Sequence, residues 1–136
     1  MRYRLDDQVG FVLRQAHQRH AALFSSLMIE GLTPTQWAAM AKLAEVGACS
    51  QNLLGRITAM DAATIKGVID RLTARGLARS VADAEDARRR LIDLTPEGAE
   101  LCARAAPLAH EITARTLAPL SEDERKLLVA LLKRLA

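Results

Sequence analysis

Apolar residues recur at intervals of three and four through most of this chain, with short strand-like runs in one region only. Over residues 6–30, Val9, Val12, Leu13, Ala16, Leu23, Phe24 and Leu27 share one face of a 3.6-residue period, so a long amphipathic helix is expected there. Gly31 is expected to follow it in the left-handed conformation. Thr33-Pro34-Thr35-Gln36 reads as a helix start, with Thr33 as the cap, Pro34 at the first helical position and Gln36 closing a capping box. Trp37, Met40, Ala41, Leu43 and Ala44 follow until Gly47. This second helix is apolar almost all round and is expected to be central.

Ser50 is the expected cap of a short third helix that buries Leu53, Leu54 and Ile57. A turn over Thr58 to Met60 leads to Asp61, the expected cap of a fourth helix running to about Arg75. Its apolar face is Ile65, Val68, Ile69 and Leu72. Leu77–Ala82 and Arg90–Leu94 are short, and they flank the polar tip Asp83–Arg89, so they read as a two-stranded hairpin. Thr95-Pro96-Glu97-Gly98 starts another helix, in which Pro107 is expected to cause a kink or break. Leu117–Leu120 reads as a corner, and Ser121 to Glu124 as a capping box that opens a leucine-rich last helix.

Helix, turn, helix, hairpin is the order of a winged helix-turn-helix. The fold expected is mainly α with a small β-wing, as one domain over 1–136. Residues 33–95 would form the DNA-binding region, and 5–32 with 96–136 the dimerisation helices. The apolar faces of the N- and C-terminal helices would close a homodimer. Such a unit ordinarily buries its second short helix in a DNA major groove. Ala62 and Ala63 allow close approach to base edges, while Thr64 and Lys66 can donate to bases or phosphates. Gly67 belongs to the same outer face, and Arg71 and Arg75 lie further along, within reach of backbone. The amides at the starts of the third helix, at Ser50 and Gln51, and of the fourth can hold phosphates. At the wing, Arg88 is the expected minor-groove reader with Asp86 as its holder. Arg89 and Arg90 alternate in direction, so only one would share Arg88's side.

Composition narrows the picture only slightly. Half of the 136 residues are apolar and 3% aromatic, which suits packed helices better than a sandwich. Nineteen basic against sixteen acidic residues give +3, too little to imply nucleic acid without regard to placement. Cys49 and Cys102 are too few and too far apart for a disulfide framework, and a reducing cytoplasm is the expected setting. No apolar run follows the basic N-terminus and none approaches about 20 residues, so neither a signal peptide nor a membrane partner is expected. A glycine-rich phosphate loop, a nucleophile elbow and an HExxH motif are all missing, which speaks against an enzyme. No cofactor is expected.

The chain resembles the MarR family, the multiple-antibiotic-resistance type of bacterial regulator. The likeness rests on Asp86-Ala87-Arg88-Arg89-Arg90-Leu91-Ile92-Asp93-Leu94-Thr95 with Gly98, on Met60-Asp61, Thr64-Ile65 and Val68–Leu72, on Arg75-Gly76-Leu77, and on Leu32–Gln36. It implies a cytoplasmic homodimer on a double-stranded operator of two-fold symmetry, often a repressor released by a small aromatic ligand. Gly67 stands where the family often has a larger polar residue, commonly arginine, and Ala62 and Ala63 also replace frequent polar residues. The stretch Ala59–Leu72 is similar to MarR-type regulators of nicotinate breakdown, which implies a hydroxylated nicotinic acid as effector.

An effector site can also be drawn from the residues. Arg14, His17 and His20 lie on neighbouring parts of the first helix, and Trp37 and Met40 begin the second. Together they would suit a small aromatic carboxylate: Arg14 pairing it, the histidines donating, Trp37 stacking. Three rival readings stay open. His17, His20 and His110 could respond to a metal, although no clear third ligand accompanies the HxxH pair and no metal site is assigned. Cys49, just before a helix start, could be a redox switch. A winged domain can also be a protein-interaction adaptor, which would show little affinity for duplex at modest salt.

Overall fold

A computed structural model describes residues 1–136, and it contains six α-helices and one antiparallel hairpin. The chain divides into two compact units: residues 1–28 with 108–136, and residues 29–107. The division falls between Met28 and Ile29 and, inside the fifth helix, between Pro107 and Leu108.

In the second unit the central helix α2 spans Pro34–Val46. The capping box forms as the sequence implies: the Gln36 amide donates to Thr33 Oγ1 at 3.2 Å, and the Thr33 amide donates to Gln36 Oε1 at 3.4 Å. Ala39, Met40 and Leu43 are wholly buried, and the Cys102 thiol donates to the Met40 carbonyl. Helix α3 spans Gln51–Ile57 under its Ser50 cap. Gly55 lies on the α4 side of α3, where a Cβ would press to 3.2 Å on Ile65 and on the Met60 carbonyl. That close approach sets the spacing of the helix-turn-helix pair.

Helix α4 spans Ala62–Ala74. Ile65, Val68, Ile69 and Leu72 are buried. Three of the four are β-branched and mediocre helix formers, so burial of this face rather than propensity holds the helix. Strands β1 (Ala78–Ala82) and β2 (Arg90–Leu94) pair from Ala78 with Leu94 to Ala82 with Arg90. A third piece of backbone joins them: Cys49 and Ile92 exchange both amide bonds, at 3.0 and 2.7 Å. The wing is thereby tied to the residue before the α3 cap.

The first unit holds a 3-10 turn at Leu5–Asp7, helix α1 (Val9–Leu27), the last part of α5 (Pro96–Thr116) and helix α6 (Glu122–Leu135). Two expectations need correction. Helix α1 stops at Leu27, with Met28 already extended. Gly31 is left-handed as expected, but it follows Glu30, also left-handed, in a turn closed by Leu32 N–H to the Ile29 carbonyl. Burial of Leu32 in the second unit requires that reversal, and no signal local to Ser25–Met28 announces it. Helix α5 continues through Pro107 without the break that was one of the two outcomes expected there. Ala103, whose carbonyl loses its helical donor, is exposed together with Pro107, so water can satisfy that oxygen.

Helix α6 starts on the expected capping box, with the Ser121 amide donating to Glu124 Oε1 at 2.8 Å. It buries no residue, however. Val9, Val12 and Leu13 on α1 and Leu131, Leu132 and Leu135 on α6 line one wholly apolar cleft and remain exposed. A patch of that kind on a small unit marks an interaction surface.

Candidate functional site

The second unit carries as many carboxylates as cations, so any anion-binding face must come from placement. Asp61 begins that placement. Its carboxylate accepts the Thr64 amide at 2.7 Å. That backbone bond, then the Thr64 hydroxyl, holds the carboxyl below its ordinary range. The cap is therefore fully present above the usual aspartate pKa and is lost as pH falls through the depressed value. Because Asp61 uses the Thr64 amide, that amide is not free for a phosphate, and the exposed Thr64 hydroxyl must leave the same carboxylate before it can donate elsewhere.

On the outer side of α4, Ala62, Ala63, Thr64 and Lys66 are all exposed. Lys66 Nζ reaches Asp70 at 2.9 Å, with both side chains mostly in solvent. An exposed pair of this type is weak, and a phosphate can displace it. Gly67 is half-buried beneath Arg71, whose guanidinium lies 3.2 Å from where a Cβ would be. Gly67 is thus a notch that Arg71 covers, delivering a guanidinium back along the helix to that position. Side chains on helices lean towards the N-terminus, which makes the reach natural. Ser50 and Gln51 are half-buried; Ser50 Oγ accepts the Leu53 amide at 3.2 Å. Arg56, exposed at the end of α3, lines a groove with Asn52, Met60 and Ala62. The sequence reading passed over Arg56 by following only the apolar side of α3; its position in the last turn of the helix before α4 was the available signal.

At the wing, Asp86 Oδ1 accepts both the Arg88 amide at 3.1 Å and Arg88 Nε at 3.2 Å. The Arg88 side chain is nevertheless 92% exposed. A carboxylate thus orients a guanidinium that still offers its outer nitrogens. The neighbouring arginines turn elsewhere. Arg89 lies 3.9 Å from Asp83. Arg90 folds across the hairpin, donating to Ser80 Oγ and the Ser80 carbonyl, both at 3.0 Å. Arg75, expected on the DNA-facing set, instead donates to Gln36 Oε1 and to the Glu30 carbonyl.

The expected effector residues divide between the units. Arg14, exposed on α1, sits over the Phe11 ring at 5.6 Å. His17 is exposed, and half-buried His20 shares a 2.9 Å hydrogen bond between Nδ1 and Thr116 Oγ1. In the second unit Trp37 is half-buried, while Met40 is wholly enclosed and has no surface to offer a ligand. Burial pushes the Cys49 thiol up, the opposite of what a reactive thiolate needs. No three His, Cys, Asp or Glu side chains gather as a metal-binding group. No helix is long and apolar enough to cross a membrane.

Comparison with known proteins agrees with this geometry. The MarR family pattern matches residues 30–89. The HTH-type transcriptional repressor NicR of Pseudomonas putida is 36% identical over 134 residues, covering 98% of this chain and 85% of NicR. A crystal structure of a probable transcriptional regulator from Pseudomonas aeruginosa superposes with a TM-score of 0.94 at 56% identity, covering 98% of this chain and all of that one. BpsR of Bordetella bronchiseptica, whose DNA binding is regulated by 6-hydroxynicotinic acid, superposes with a TM-score of 0.93 at 39% identity, over 99% of this chain and 97% of BpsR.

Proposed function

The chain belongs to the MarR family of winged helix-turn-helix, DNA-binding transcriptional regulators, and from that membership we propose that it is a homodimeric repressor released from a two-fold operator by a hydroxylated nicotinic acid. The observation that carries the DNA-reading half is the exposed leading face of α4, Ala62 to Lys66, in the same unit as an Arg88 that Asp86 holds outward. Small side chains let the helix approach base edges, and Thr64, Lys66 and Arg71 supply donors. Arg88 supplies the minor-groove cation.

The effector class is supported by the likeness to NicR and to BpsR. Arg14 is the residue proposed to pair the carboxylate, with His17 and His20 on the same helix donating to ring polar atoms. Selection from random duplexes should return pseudo-palindromic sites, bound with an affinity that falls steeply with salt. Adding 6-hydroxynicotinic acid should release them, and Arg14→Ala should weaken that release about tenfold while leaving operator affinity intact. A protein with no duplex affinity at low salt would instead be an adaptor. One that binds duplex but ignores the compound takes another effector.

The apolar cleft between α1 and α6 supports dimerisation through these helices. Leu135 is 71% exposed in the single chain, so a glutamate there costs the protomer little but must be desolvated in a dimer. Leu135→Glu should raise the dimer dissociation constant about tenfold or more in sedimentation equilibrium, with the far-ultraviolet circular dichroism unchanged. An unaltered constant would place the interface elsewhere.

A further inference from the structure

Arg75 is the C-cap of α4, a position from which a cation could reach a DNA backbone, yet both prongs of its guanidinium are engaged within the protein. Nη1 donates to Gln36 Oε1 at 3.2 Å and Nη2 to the Glu30 carbonyl. Gln36 is a buried polar side chain already engaged in the α2 capping box. Glu30 holds a left-handed backbone, φ 58°, that side-chain-bearing residues avoid, and Gly31 follows it at φ 63°. Its carboxylate lies 4.0 Å from Arg104 on α5. One guanidinium therefore joins three things: the end of the recognition helix, the first turn of α2, and the strained reversal that opens the second unit. Each bond is geometric and directional, and a lysine ammonium lacks the rigid planar fork that presents Nη1 and Nη2 to separate acceptors.

We propose that Arg75 is a positioning residue for DNA recognition and not a phosphate contact: it clamps the end of α4 to the Glu30–Gly31 reversal and the Gln36 capping box, and so sets how α4 is presented to the groove. The proposal rests on the DNA-binding reading. A helix that is free to tilt at one end loses base contacts at the other, because direct readout tolerates little displacement of the donors.

The test uses Arg75→Lys and Arg75→Ala, with Arg71→Ala as the comparison cation, in the full chain. Operator affinity is measured across a salt series by fluorescence anisotropy, and amide hydrogen exchange is followed by mass spectrometry. Both Arg75 variants should bind the operator about tenfold more weakly than the parent, with the same slope of log affinity against log salt, since no phosphate partner has been lost. Arg71→Ala should shallow the slope by about one. Exchange should rise over Ile29–Thr33, including the Leu32 amide, while the buried amides of α4 stay protected. Full affinity in Arg75→Lys, or a slope shallower by about one in Arg75→Ala, overturns the proposal and makes Arg75 a phosphate contact. Unchanged exchange over Ile29–Thr33 also overturns it. If the parent chain binds no duplex, it is the DNA-binding reading that fails, and the exchange data still decide whether the clamp exists.

Discussion

Arg88→Ala is expected to lower affinity for both operator and random duplex by about tenfold to a hundredfold, with the operator losing more. The side chain is 92% exposed, so its removal leaves no cavity and should not touch folding. The loss is in binding alone. Asp86 accepts both the backbone amide and Nε of Arg88, which fixes the direction of the guanidinium before DNA arrives. Preorganisation of this kind spares the ordering cost on binding. Asp86→Ala should therefore weaken binding by a smaller factor, since it leaves the charge and frees its direction. Anisotropy at one fixed salt, then across a salt series, separates the two effects: only Arg88→Ala should shallow the slope, by about one. Operator affinity unchanged in Arg88→Ala would remove the wing from recognition. Because Arg90 is occupied by Ser80 and Arg89 lies near Asp83, neither should substitute for Arg88.

Gly98→Ala is expected to be the most damaging single-methyl change in the chain. The Gly98 amide donates to Thr95 Oγ1 at 3.0 Å, and the same hydroxyl donates to the Gly76 carbonyl at 2.6 Å. The Thr95 amide donates to the Leu77 carbonyl at 3.1 Å. The first turn of α5 thus rests directly on the backbone that leaves α4, and a Cβ at Gly98 would fall on the Leu77 carbonyl. Backbone cannot swing aside as a flexible side chain can. The cost should be about 3 kcal/mol or more, in the range reserved for overpacking and strain at special positions. Urea unfolding should show a lower midpoint with a similar slope. Duplex affinity should fall with it, because the end of α4 and the start of β1 share this junction. An unchanged midpoint would mean that the junction relaxes at no cost.

The elements that could be read in advance are those with short-range causes. Thr33, Ser50, Asp61 and Ser121 cap the helices they were expected to cap, because a capping bond spans only three residues. Ile65, Val68, Ile69 and Leu72 are the buried face of α4, and β2 runs over Arg90–Leu94 as expected. The outward pairing of Asp86 with Arg88 has the same local origin, two residues apart.

What the residues alone determined, then, is the succession of helices and strands, the face each helix buries, and the outward set of α4 and the wing. The physical reason is that periodicity, caps and turn chemistry act over one or two turns of chain. Only the tertiary structure decided the rest. Packing of Leu32 ended α1 early; an exposed Ala103 carbonyl let α5 pass Pro107; Cys49 joined Ile92; Met40 was enclosed. Arg75 and Arg90 turned to partners 39 and 10 residues away. A long cation is committed by whichever acceptor lies within its reach, and that acceptor exists only once distant segments have come together.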